Sequence, residues 1–123
     1  MKNKNLLSKL KIVKKPWGRE IWFAHTPAYA AKILIVKKGC RLSLQYHRNK
    51  METLFIDKGI LKVSTGKVGG KLKTKTVKAG FVLHLPPKTV HRTHAIKECR
   101  IIEVSTPQLT DIVRIQDDYN RIK

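Results

Sequence analysis

The sequence predicts an all-β domain of sandwich or barrel type, and three observations carry that expectation. Nine short segments rich in β-branched and apolar residues follow one another between residues 20 and 105. Turn-forming residues separate them at near-regular intervals. No stretch in that range keeps the 3.6-residue apolar period of an amphipathic helix. Many short strands in a chain of 123 residues fit one domain with two packed layers of sheet.

In chain order, residues 1–15 form a basic arm, expected to fray or to lie along a sheet edge. The barrel itself is expected over residues 16–107. Its strands read Ile21–His25, Ala31–Lys37, Leu42–His47, Glu52–Asp57, Ile60–Thr65, Leu72–Lys78, Phe81–Leu85, Val90–Ile96 and Arg100–Ser105. Thr26-Pro27, Lys38-Gly39, Asn49-Lys50, Lys58-Gly59, Gly66 to Gly70, Ala79-Gly80 and Pro86-Pro87 supply the turns. Val36-Lys37-Lys38-Gly39 is echoed 41 residues later by Val77-Lys78-Ala79-Gly80. Each copy leads into a histidine-bearing strand, as in a barrel of two halves. Residues 108–123 read as a polar tail packing on the barrel, with room for a short turn of helix.

Composition narrows the function classes. Lys and Arg number 27 against 8 Asp and Glu, a formal net charge of +19. Residues 1–97 hold 23 of those bases and only three acids, Glu20, Glu52 and Asp57. Such an excess first suggests nucleic acid. The lysines nevertheless alternate with β-forming residues, as in Lys71-Leu72-Lys73-Thr74-Lys75-Thr76-Val77, which is how the solvent face of an antiparallel strand reads. Nucleic acid is therefore not the expected partner. Every apolar run is interrupted by lysine, so no membrane span or secretory leader is expected. Cys40 and Cys99 match no zinc or redox spacing and suit a reduced, cytoplasmic protein.

One constellation carries chemistry. Along a strand side chains alternate, which puts Gln45, His47 and Asn49 on one face. After a short reversal Glu52 opens the partner strand and can point into the same space. From far along the chain, the rigid turn Pro86-Pro87-Lys88-Thr89 delivers His91. Two imidazoles, a carboxylate and an amide oxygen suit a divalent ion with positions left open for water or substrate.

The run from Gly39 through His47 and Glu52 to Gly59, followed by Gly80, Pro86 and His91, resembles the two motifs of the cupin superfamily. Asn49 stands where the first motif has its second histidine, Lys88 where the second has glycine, and Ala95 where it has asparagine. Arg41-Leu42-Ser43-Leu44-Gln45-Tyr46-His47 is similar to one branch, the type II mannose-6-phosphate isomerases, whose cupin domain is often fused to a mannose-1-phosphate guanylyltransferase. Lys15-Pro16-Trp17-Gly18, Ile102-Glu103-Val104, Asp111-Ile112-Val113-Arg114 and Asp117-Asp118-Tyr119-Asn120-Arg121 agree as well, and no guanylyltransferase domain fits in this length.

The resemblance implies a cupin double-stranded β-helix, a jelly-roll barrel with its site inside. It implies a divalent metal, zinc first, with manganese, iron or cobalt as the other candidates. Type I phosphomannose isomerases use a Gln-x-His pair, which selects Gln45, His47, Glu52 and His91 as ligands, with Asn49 a fifth ligand or a substrate contact. The activity implied is aldose–ketose isomerisation of a phosphorylated sugar. Glu103 and His94 are then the candidate acid/base groups, and Arg41, Lys88 and Arg92 the candidate phosphate grips. Small cupins commonly pair, so a homodimer is expected. The competing classes are a metal- or sugar-binding cupin without turnover and a basic nucleic-acid-binding module. Of the remaining candidates, His84 reads as structural and His25 as a loop residue. Trp17, Trp22, Cys40 and Cys99 read as packing residues.

Overall fold

A computed structural model describes residues 6–122. Eleven strands form, with no helix among the described residues: β1 (Lys11–Lys15), β2 (Gly18–His25), β3 (Ala30–Val36), β4 (Leu44–Tyr46), β5 (Glu52–Lys58), β6 (Ile60–Lys67), β7 (Lys73–Lys78), β8 (Val82–Leu85), β9 (Thr89–Ala95), β10 (Cys99–Ser105) and β11 (Val113–Gln116). One sheet has the order β1-β2-β3-β10-β5-β8 and the other β11-β4-β9-β6-β7, with antiparallel pairing throughout. From β3 onward the chain passes repeatedly from one sheet to the other, which is the jelly-roll winding.

The inner faces meet in a core of Trp17, Leu34, Val36, Leu54, Ile56, Leu61, Val63, Leu85, Ala95, Cys99 and Ile101. Each strand contributes alternate residues. On β10, Cys99, Ile101 and Glu103 point in, whereas Arg100, Ile102 and Val104 do not. The V-K-x-G echo marks two equivalent turns: Gly39 and Gly80 have φ of 81° and 99°, a region where a Cβ is strained.

The end of the basic arm takes the edge position, one of its two expected outcomes, as strand β1 paired with β2 from Lys11↔Trp22 to Lys15↔Gly18; residues 1–5 of the arm, and Lys123 of the tail, lie outside the described residues. Two expectations change. The tail forms strand β11 rather than a helical turn, because the edge of β4 offers free backbone groups to Val113, Arg114 and Gln116. On β7 the alternation holds but its phase is reversed: Val77, Lys75 and Lys73 pair with the inward-facing Leu61, Val63 and Thr65. Being on an edge strand at an open end of the barrel, Lys73 and Lys75 still reach solvent.

Candidate metal and sugar-phosphate site

Four separate segments converge at one end of the barrel interior. His47 follows the short β4, Glu52 opens β5, His91 sits near the start of β9, and Glu103 lies on β10. His47, Glu52 and His91 are 5%, 6% and 4% exposed, and one ligand atom from each falls within 4.8 Å of the others. Glu52 Oε1 is 3.3 Å from both His47 Nε2 and His91 Nε2. Ligands at about 2.1 Å in tetrahedral geometry stand about 3.4 Å apart, so the spacing fits one ion.

The hydrogen bonds behind the imidazoles set their tautomers. His47 Nδ1 donates to the Asp111 carbonyl at 2.5 Å, and His91 Nδ1 donates to the Thr89 carbonyl at 3.0 Å. Both Nε2 atoms therefore face the Glu52 carboxylate, where each can donate a hydrogen bond to it or, with that proton displaced, join it in ligating a cation. Burial pushes Glu52 up, but the two imidazoles and the Lys50 ammonium outweigh it and hold its carboxyl well below the usual range. Gln45 reaches the same place with its amide nitrogen, 3.4 Å from His91 Nε2, while its oxygen accepts from Ser43 Oγ at 2.6 Å. Serving as a ligand requires that amide to turn over.

Behind the histidines runs a chain of alternating charges. Lys50, 4% exposed, lies 3.2 Å from Glu52 and 3.3 Å from Glu103. Lys32 lies 3.8 Å from Glu103 and 3.2 Å from Glu20. Glu20 also accepts from Trp22 Nε1 at 2.8 Å. Burial, with the charge of Glu52 added, raises Glu103 above the ordinary glutamate range despite both lysines. Burial alone would lower Lys50, yet Glu103 and Glu52 raise it, so it stays an ammonium. These groups line a cavity of about 240 Å³ that the tail roofs with Leu109, Thr110 and Ile112.

Comparison with known proteins agrees with this geometry. Residues 2–117 match the family described as "Mannose-6-phosphate isomerase C-terminal". The chain belongs to that family. It is also 30% identical over 110 residues to mannose-1-phosphate guanylyltransferase 2 of Escherichia coli O157:H7, covering 85% of this chain and 22% of that protein. The chain thus spans about a fifth of that relative. Among solved structures, the capsular polysaccharide assembling protein CapF of Staphylococcus aureus superposes with a TM-score of 0.74 at 16% identity, over 91% of this chain and 34% of that one. Bacillus subtilis oxalate decarboxylase OxdC gives 0.75 at 13% identity, over 92% and 34%. KdgF from Halomonas sp. gives 0.66 at 18% identity, over 81% and 86%. These likenesses show the cupin fold.

Within this cupin, not all of the residues singled out by sequence come together. Gln45, His47, Glu52, His91 and Glu103 do. His94 does not: three positions beyond the inward-facing His91, it points out of β9, where Lys62 and Arg41 are its neighbours. Arg92 is outward by the same parity, with Nε donating to the Leu42 carbonyl at 2.9 Å. Arg41 is tied to Asp118 through two hydrogen bonds of 2.6 and 2.8 Å, so it pins the tail. Lys88 is exposed and has φ of 64°, the left-handed conformation that explains why the cupin motif has glycine there. None of these four lines the cavity.

Asn49 is exposed, because the chain leaves strand geometry after Tyr46. The Asp111 carboxylate accepts the backbone N–H groups of Arg48, Asn49 and Lys50 at 2.9, 2.7 and 2.9 Å. Burial opposes ionisation there, but those three donors together outweigh it and draw the Asp111 carboxyl down to about 2. The resulting loop turns Asn49 outward and Lys50 inward. Sequence reasoning missed Lys50, Lys32 and Glu20. For Glu20 a signal existed, since it too is one of three acids in residues 1–97. Trp17 and Cys99 are buried in the core as expected. His25 ends β2, with its ring edge-on to Trp22, and is not in a loop. His84 is exposed and meets Thr53 Oγ1 at 3.0 Å.

Proposed function

We propose that this cupin is a metal-dependent sugar-phosphate isomerase that interconverts mannose 6-phosphate and fructose 6-phosphate. The observation that carries this reading is the buried His47–Glu52–His91 cluster facing a second, unligated carboxylate, Glu103. His47, Glu52 and His91 would hold the ion, with Gln45 as fourth ligand once its amide turns. Zinc suits two imidazoles and a carboxylate, and manganese, iron and cobalt are the alternatives. When bound, the ion supplies Lewis-acid polarisation of the sugar's carbonyl and hydroxyl oxygens.

Glu103 is the proposed base. Its carboxylate takes the proton from C2 of the aldose and returns it to C1 of the enediol while the O2 hydroxyl proton passes to O1, giving the ketose, and its raised pKa suits a group that must both accept and release a proton. Lys50 and Lys32 keep that carboxylate in place by ion pairs on two sides. His94 has no part in this scheme. The assay uses protein loaded with zinc, manganese, cobalt or iron, supplied with mannose 6-phosphate and coupled to a detector of fructose 6-phosphate. Turnover with at least one metal is expected, and none with all four overturns the isomerase reading. Binding without turnover would support the second reading, a non-catalytic metal- or sugar-binding cupin, which the exclusion of Asn49 from the cluster favours.

Cytoplasmic work as a homodimer completes the proposal. Cys40 and Cys99 are free thiols, and among the described residues no helix is long and apolar enough to cross a membrane. On the outer face of the six-stranded sheet, Ile12, Ile21, Ile33, Ile102, Phe55 and Val82 fall in one register row. The row is about 24 Å long at the usual strand spacing and carries no charge. With exposed Phe23, Tyr29, Met51 and Val104 beside it, it offers the scale of apolar patch that a second copy must cover in a stable dimer. Because each copy is strongly basic, sedimentation should show dimer favoured by salt, and Ile102→Asp should give monomer with unchanged metal content. Wild-type monomer at high salt overturns the pairing.

A further inference from the structure

The cavity has an unbalanced wall. Its lining includes five cations, Lys15, Lys32, Lys50, Arg114 and Arg121, and three carboxylates, Glu20, Glu52 and Glu103. Lys32 and Lys50 are committed to those carboxylates. Arg121 is committed in part, with Nε and Nη2 donating to Asp117 at 2.9 Å each, which leaves its other donors available. Arg114 is different. It is the Cα partner of Gln45 across the β11–β4 pair, so its side chain leaves the sheet on the same face as Gln45. Its Nε is buried without a hydrogen-bond partner, and no ion pair to it occurs among the described residues. A buried guanidinium donor left unmatched is costly unless a ligand supplies the acceptor.

We propose that Arg114, flanked by Arg121 and Lys15, is the site that grips the phosphate of the sugar. This assignment rests on the sugar-phosphate reading above and replaces the outer-face arginines that sequence suggested. Arg41 and Arg92 have carboxylate, amide and carbonyl partners of their own on the far side of the sheet, and Lys88 lies at an exposed turn outside the cavity. Arg114 stands one strand across from Gln45, so a phosphate held there leaves the far end of the sugar pointing toward His91 and Glu52. The guanidinium fork provides paired donors for phosphate oxygens. Lys15, arriving from β1, lines the same cavity and adds a point charge.

The test is calorimetric binding of mannose 6-phosphate, and of mannose as the unphosphorylated reference, to zinc-loaded full-length protein. Wild type should prefer the phosphorylated sugar. Arg114→Gln should weaken mannose 6-phosphate binding ~10- to 100-fold, as expected for loss of hydrogen bonds to a charged group, and leave zinc content and mannose binding as they are. Arg114→Lys should recover part of that loss, and Lys15→Ala should cost ~3- to 10-fold. Lys88→Gly should bind as wild type. Unchanged affinity in Arg114→Gln, or no preference for the phosphorylated sugar in wild type, overturns the assignment. Since binding is read without turnover, loss of affinity in Arg114→Gln in a protein that does not isomerise would uphold the phosphate site and overturn only the isomerase. Turnover with an unchanged KM in Arg114→Gln would do the reverse.

Discussion

The inner faces of β3, β5, β9 and β10 each change character along their length. On β5 the inward residues run Glu52, Leu54, Ile56; on β10 they run Glu103, Ile101, Cys99; on β3, Lys32, Leu34, Val36; on β9, His91, Thr93, Ala95. The antiparallel registers Glu103↔Lys32, Ile101↔Leu34 and Cys99↔Val36 keep like with like, so one end of the barrel is charged and the other dry. The same strands serve both ends. At the dry end, removal of apolar surface from water supplies stability. At the charged end, each ion is buried beside an opposite charge, which adds little net stability but fixes the charged side chains in a water-poor space where their fields are strong. The contrast teaches that stability and chemistry are divided by position along each strand, and substitutions at the two ends should separate them.

The largest effect is expected at the charged end. His47→Ala and His91→Ala should each lower bound metal from about one ion per chain to near none, measured by elemental analysis, because one of the two imidazole ligands is lost. Retention of a full ion by either variant would remove that end's claim to be a metal centre. Glu103→Gln keeps the size of the side chain and removes the base, so turnover of mannose 6-phosphate should fall ~10²- to 10⁴-fold at unchanged metal content. The dry end should behave oppositely: Leu61→Ala should cost about 2–5 kcal/mol in denaturant unfolding and leave metal content intact below the transition. The smallest effect belongs to the turn between β8 and β9, where Lys88→Gly should stabilise by about 1 kcal/mol by relieving a left-handed non-glycine residue, with no change in turnover.

Much of the dry end was legible in the sequence. All nine expected strands formed, since alternation of apolar residues is a local signal that needs no knowledge of partners. Their ends were less legible. Leu42–His47 is reduced to Leu44–Tyr46, and just beyond it Asp111, more than 60 positions away, holds the N–H groups of Arg48, Asn49 and Lys50 in a loop that bends away from the strand. At the charged end, motif spacing found His47, Glu52 and His91, whose separation along the chain is what a cupin turn requires. It missed Lys50, because counting alternate residues from His47 assumes the strand continues, and the structure bends there. His94 and Arg92 are close to the motif histidine in sequence, but strand parity puts both on the outer face of β9. Arg114 stayed hidden inside a segment read as a polar tail, since nothing local says that β11 joins a sheet.

Asp111 links the two ends of the chain in another sense, that of time. The carbonyl that fixes the His47 tautomer and the carboxylate that shapes the loop delivering Lys50 both belong to a residue 64 positions downstream of His47. During synthesis, β5 through β10 can emerge and pack their apolar inner faces while His47 still lacks its partner. The barrel can therefore close before His47 is oriented, and under the metal-dependent reading proposed above ion capture would wait for residue 111 to leave the ribosome, so a nascent chain halted before that point should be folded at its dry end and bind no metal at the other.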